Sequence, residues 1–424
     1  MDRTTVEYYR LRLYLLMLAA VSVGLVFSPP VLSVGLFGIC FLGVLDPLVG
    51  INPNWRTNVG AFFWTPLPWA LISLYLLLLF GAWQTYDWTY YLERLRIKTP
   101  LLLVPFAWAG LPKLNRSQQG KVVGAFALSM AVVLAGVLIN YVFDYTAINQ
   151  AIREGRAMPV PRNHIRFSLL VALGIFSALR AGELKAWKRT RSWYVVAGFL
   201  FLAAHVLAVR SGLAGAYAGV GAYVLVAAWA RGRWWPAVVA LTGLALLPVI
   251  AYLAVPSLRT KLDYARYELF QRERSAEDAA EYSDEGRLVS IRLGLQVWQD
   301  NRLLGVGPGN LRAEMDQRYA AAYPALEGKR PHNQFVSALA GSGILGGVVT
   351  IGAFLVLALV GLRRRDAVFM GVWTLFFISC LVENTLENTA GVCMFTVFLL
   401  VFGARPLGEE LQVRPCTAGE GEDL

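Results

Sequence analysis

Apolar runs of membrane length recur along almost all of this 424-residue chain, and one long polar stretch, Pro256 to Asn333, interrupts them. A run of roughly 20 apolar residues crosses a bilayer as a helix, because lipid offers the backbone no hydrogen-bond partners. Composition agrees: 57% of residues are hydrophobic, 16% are charged, and the mean hydropathy is +0.51. The fold class expected is an all-α polytopic membrane protein of about twelve transmembrane helices. Nine would lie in residues 1–255 and three in 334–404, with 256–333 as a large helical loop and 405–424 as a disordered tail. The first span is read as Leu11–Phe27 and the fourth, the shortest, as Pro100–Leu111.

The net charge of +11 does not call for nucleic acid, since cytoplasmic loops of membrane proteins collect Lys and Arg beside anionic lipid. Cys40, Cys380, Cys393 and Cys416 lack zinc spacing and suggest no disulfide framework. Asp2 and Glu7 interrupt the positive N-terminal region, so no cleaved signal is expected there. Twelve spans put both termini on one side. Arg3, Arg10 and Arg12, then Lys113, Arg116 and Lys121, then Lys185, Lys188, Arg189 and Arg191 mark that side as cytoplasmic. Arg94, Arg96 and Lys98 fall on the opposite side, against the rule: either the short fourth span is misread, or these charges meet acidic lipid headgroups outside.

The polar stretch would then be extracytoplasmic. Leu288, Ile291, Leu295 and Trp298 recur at spacings of 3, 4 and 3, the apolar stripe of a helix. Asn301 and the run Gly305 to Asn310 end it, and a second helix is expected from Leu311 to Tyr323. The acidic run Glu277–Glu285 offsets nearby arginines.

Chemistry concentrates at the end of that stretch. His332, one of three histidines with His164 and His205, opens the next apolar run after Pro331. A helix N-terminus disfavours imidazolium, which suits a base; the same position also suits a cap or an interfacial side chain. Arg210 sits in a short turn at an outer membrane edge, as a substrate cation or a snorkelling anchor. Arg287 opens the loop helix and could equally pair with Asp284 or Glu285. Arg162, His164 and Arg166 form a further basic cluster, and Arg292 and Asn333 are added as substrate-binding candidates. Guanidinium forks suit pyrophosphate, since they bind its oxygens in pairs and stay charged. Glu383 and Glu387 lie in the outer turn after Val382, where capping and solvation compete with orienting a sugar or a base.

Three motifs in this order resemble the O-antigen ligase and polymerase superfamily, and most closely its O-antigen ligases. They are Val209-Arg210-Ser211-Gly212; Ser283 to Arg287 followed by Asn301 to Asn310; and His332-Asn333-Gln334-Phe335 running to Gly346. Where members often carry a glutamate shortly after the His-Asn pair, this chain has Ala340-Gly341-Ser342, so no acidic partner of His332 is assigned there. The resemblance implies a metal-independent, cofactor-free inverting glycosyltransferase of a Gram-negative inner membrane. It would carry O-antigen from undecaprenyl pyrophosphate to a lipid A–core hydroxyl at the periplasmic face. His332 would be the base, and Arg210 and Arg287 would hold the leaving pyrophosphate. A polysaccharide polymerase or protein oligosaccharyltransferase of the same superfamily is the nearest rival. A transporter is disfavoured, because the polar chemistry gathers at one edge rather than at mid-membrane.

Overall fold

The computed structural model describes residues 3–46, 50–187, 190–270, 283–324 and 326–404. The acidic run lies outside these residues up to position 282, as do the tail from Arg405, Lys188, Arg189 and Cys416. The chain is an all-α polytopic membrane protein. Among the described residues the helices are α1 Arg3–Val26, α2 Pro29–Val44, α3 Pro53–Phe63, α4 Pro66–Phe80, α5 Trp88–Lys98, α6 Pro100–Trp108, α7 Arg116–Phe143, α8 Tyr145–Arg153 and α9 His164–Glu183. They continue as α10 Thr190–Leu207, α11 Arg210–Arg231, α12 Trp235–Ala254, α13 Pro256–Phe270, α14 Ser283–Asp300, α15 Leu311–Ala322, α16 Gln334–Arg363, α17 Ala367–Val382 and α18 Thr389–Gly403. The only strands among them, Leu45–Asp46 and Gly50–Ile51, pair antiparallel beside α2.

Among the described residues, eight helices are long and apolar enough to cross a bilayer, and α2, α17 and α18 are shorter apolar helices. The first begins at Arg3 rather than Leu11, because Arg10 is not a surface anchor. Arg10 is 2% exposed and donates to Leu42 O, Gly110 O and Asn52 Oδ1, tying together the ends of α1, α2 and α6. The expected fourth span contains only nine helical residues in α6, but Thr99 alone separates it from α5. Both helices together are long enough to cross.

Bonds between helix ends sort the bundle into two faces. Arg10, Gln119 with Ala404 O, and Arg180 with Asp366 lie on the face of the N-terminus. Arg94, Glu387, His332 and the Gly305–Asn310 loop lie on the other. The core runs through α9, α17 and α18. Buried residues make up 78% of the α9 span but 11% of α12, which places α12 at the lipid boundary.

Helix α16 is broken at Ser342 and Gly343, and the glycine-rich loop fills the break. Val306 N donates to Ala340 O, Gly307 N to Gly341 O, and Ile344 N to Arg302 O. Gly305 (φ +69) and Gly343 (φ +62) need left-handed backbone, and a Cβ on Gly343 would run into Leu303 O. Two motifs distant in sequence thus form one joint.

Helix α14 is amphipathic, as expected, but it turns a different face inward. Val289, Leu293 and Val297 are buried, whereas Leu288 is half exposed. The reason is steric. Gly286, Ser290 and Gly294 form a stripe of small residues, and Gly294 packs on Pro331 and Val336 at the start of α16. Close approach along that stripe rotates the larger apolar residues away from the expected register. The second loop helix spans Leu311–Ala322, within a residue of its expected end.

Candidate active site

The turn that carries His332 is held from three directions. Asn333 caps α16, its Oδ1 accepting from Phe335 N and Val336 N, and its Nδ2 donates to Leu381 O. From α14, Ser290 Oγ accepts the backbone N–H of His332 at 3.0 Å. Glu383, directly after α17, accepts from His332 Nδ1 at 3.1 Å. A carboxylate can only accept, so this bond places a proton on Nδ1, and in the neutral imidazole Nε2 keeps its lone pair. The second oxygen, Glu383 Oε1, is ion-paired with the Arg287 guanidinium at 2.6 Å. Glu383 is 7% exposed, while the His332 and Arg287 side chains keep about a quarter of their surface.

One turn further, Glu387 forms a second and more enclosed cluster. Its Oε1 meets Lys98 Nζ at 2.6 Å and Gln334 Nε2 at 2.9 Å; its Oε2 meets Arg330 at 3.4 Å, and its backbone carbonyl accepts from Arg94 at 2.8 Å. Burial pushes the carboxyl up, but Lys98 and Arg330 outweigh it and hold the pKa down to about 2. This explains two of the three misplaced positive charges of the sequence. Arg94 and Lys98 neutralise a buried carboxylate instead of facing headgroups.

The other expected residues separate by location. His164, the first residue of α9, lies within electrostatic reach of Glu383, Arg287 and Lys261. Arg166 lies within reach of Glu383, Arg162 and Arg330. Arg162 itself donates to Gly24 O and Leu25 O at the end of α1. Arg210 is the first residue of α11 and is half buried. The helix it opens packs on α9, where Gly212 sits against Ser168, one turn along from His164. The preceding Ala208 has φ +52, a left-handed conformation that costs an alanine on the order of 1 kcal/mol. Ser257 Oγ, donating to Val206 O, and the packing of Ala208 against Ala251 and Leu258 hold that turn. Arg292 is exposed on α14, five residues and so roughly 140° around the helix from Arg287. Asn333 is engaged in capping. His205 is buried and bonded to Tyr217 within the bundle.

Sequence reasoning weighed capping and solvation of both glutamates against orienting a sugar or a base, and favoured capping and solvation. The structure assigns them to His332, Arg287 and the surrounding cations instead. Their signal was a pair of acids four residues apart in a short link between two strongly apolar runs. Ser290 and Arg330 carried no such signal.

Residues 195–351 match the family model described as O-antigen ligase. Over that segment, somewhat more than a third of the chain, the sequence is similar to the O-antigen ligase superfamily. The matched segment contains Arg210, Arg287 and His332 and stops before Glu383 and Glu387. A search of curated proteins returned no match.

Proposed function

We propose that this chain is an O-antigen ligase of the O-antigen ligase and polymerase superfamily. It would transfer O-antigen polysaccharide from undecaprenyl pyrophosphate to a sugar hydroxyl of lipid A–core oligosaccharide. The observation that carries this reading is the pairing of His332 Nδ1 with Glu383, which leaves Nε2 as a proton acceptor beside Arg287. In the proposed step the acceptor oxygen bonds to the anomeric carbon of the donor and its proton passes to His332 Nε2. The bond between that carbon and the phosphate oxygen breaks, inverting the centre. Glu383 steadies the imidazolium that forms, in the way a carboxylate supports a catalytic histidine elsewhere. Arg287 and Arg210 take up the negative charge on the departing pyrophosphate, with Arg166 adding to a field that draws anions.

The domain reading follows: 256–333 forms the catalytic loop over the two transmembrane blocks, 1–255 and 334–404. We place the protein in a Gram-negative inner membrane, with both termini cytoplasmic and the His332 face periplasmic. The lysines and arginines at the opposite helix ends support that orientation. The test is reconstitution of the purified chain with lipid-linked donor and lipid A–core. Polysaccharide joined to lipid A–core, and lost with His332→Ala, supports the ligase. Elongation of donor on undecaprenyl pyrophosphate without acceptor would instead make the chain a polymerase.

A further inference from the structure

Helix α14 reaches the His332 turn along its stripe of small residues, Gly286, Ser290 and Gly294. Close packing asks only that the side chain at position 290 be small, and alanine would meet that demand. The hydroxyl of Ser290 is the part that packing does not require. It is fully buried, at 0% exposure, and it is used in both senses. Oγ donates to Arg287 O at 2.7 Å and accepts the backbone N–H of His332 at 3.0 Å. With one proton given and one accepted, the hydroxyl has a single setting.

Those two bonds complete a closed circuit. It runs from the carbonyl of Arg287 through Ser290 to the amide of His332, then along the imidazole to Glu383, and returns through the ion pair to the Arg287 guanidinium. The chain neighbours of His332 are held from elsewhere, Asn333 by Leu381 O and Pro331 O by Ser337 Oγ. The two halves of the circuit answer a proton differently. An imidazole that gains one becomes a second cation on Glu383, opposed by Arg287, so the ionic half is redistributed. The Ser290 half is neutral and keeps its strength. It can therefore hold imidazole and guanidinium at one spacing in both protonation states.

We propose that Ser290 is a positioning residue of the transfer reaction, whose hydroxyl seats the His332 imidazole on Glu383 and fixes its distance from the Arg287 guanidinium. It touches no substrate and acts through His332. The catalytic consequence rests on the ligase reading; the seating of the imidazole does not.

Two measurements on the full-length protein test this. The first is nitrogen NMR of protein labelled in its histidines, with the His332 signals identified by their loss in His332→Ala. Wild type should carry the neutral His332 proton on Nδ1, and Ser290→Ala should move a large share of it to Nε2 as the contact with Glu383 loosens. Ser290→Cys, of similar size and with only a weak donor and acceptor, should do the same to a smaller degree. The second is kinetic. Ser290→Ala should lower kcat by roughly tenfold to a hundredfold, as misplacement of a catalytic group does, with KM for donor and acceptor within about twofold of wild type. Added to His332→Ala it should cost less than about twofold more, whereas added to Arg210→Lys the two losses should multiply. An unchanged Nδ1 signal in both Ser290 variants would overturn the proposal. So would a kcat near wild type in Ser290→Ala, or a loss that multiplies with His332→Ala, which would mark a general packing defect. Wild-type transfer by His332→Ala would instead sink the ligase scheme, and the NMR result would still decide whether Ser290 seats the imidazole.

Discussion

Glu383 and Glu387 stand four residues apart in one link between α17 and α18, both less than 9% exposed, and their surroundings differ in kind. Glu387 is closed in by Lys98, Arg330, Arg94 and Gln334, two of which, Arg330 and Gln334, flank the His332 turn on either side. Glu383 has one permanent cation, Arg287, and one ring that can gain or lose a proton, His332, and both partners keep an outward surface. A carboxylate saturated by fixed charges is a brace. One shared between a fixed charge and a titratable ring can pass the consequences of a proton transfer to a ligand. The comparison therefore separates what holds the His332 turn from what we propose acts through it.

The largest effect should come from the open cluster. His332→Ala should reduce transfer by about 10²–10⁴-fold, the usual value of a general base, while thermal unfolding in detergent stays near wild type. Transfer within a few fold of wild type would remove the base from the scheme. The enclosed cluster should answer in the opposite sense. Glu387→Ala leaves the partly buried Lys98 and Arg330 without their carboxylate, at a cost of about 1–3 kcal/mol, so unfolding temperature should fall before any defect in turnover is assignable. An unchanged melting curve would mean the brace carries no load. Of intermediate size, Arg287→Lys and Arg210→Lys should each lose roughly tenfold or more in kcat, because a point charge replaces a bidentate fork. Retention of full activity by either would make that residue an anchor only.

Much of the fold was legible because membrane helices declare themselves by length and apolarity, and the glycine-rich stop after α14 was legible because Gly305 and Gly307 require left-handed backbone. The inward face of α14 was not, since close packing along Gly286, Ser290 and Gly294 overrode the pattern of large apolar residues. Of the site, His332 and Arg287 were legible from their chemistry at a membrane edge. Glu383 was not, because its partner lies 51 residues away and only the return of α17 to the same face brings the two together. The same return explains Arg94 and Lys98. Read alone they violate the charge rule for loops; paired with Glu387, 289 residues from Lys98, they obey the stronger demand that a buried carboxylate be neutralised.

The smallest predicted effect sharpens the comparison most. Lys98→Gln removes one of the cations around Glu387 but leaves Arg330 and Gln334 in contact, so stability at neutral pH should fall by about 1–2 kcal/mol with turnover unchanged. The pH dependence gives the sign. Glu387 is held at about 2 in the folded protein against an ordinary value of 4.5, so its contribution is fully present above about pH 4.5 and fades as pH falls towards 2. Lys98 contributes most to that depression, against burial, which works the other way. The stability difference between wild type and Lys98→Gln should therefore be greatest above pH 5 and shrink steadily between pH 4.5 and 2, as protonation of Glu387 removes the partner that Lys98 serves. Unfolding midpoints measured across that range would decide it. A difference that stays constant down to pH 2 would show that Lys98 acts through packing rather than through the charge of Glu387.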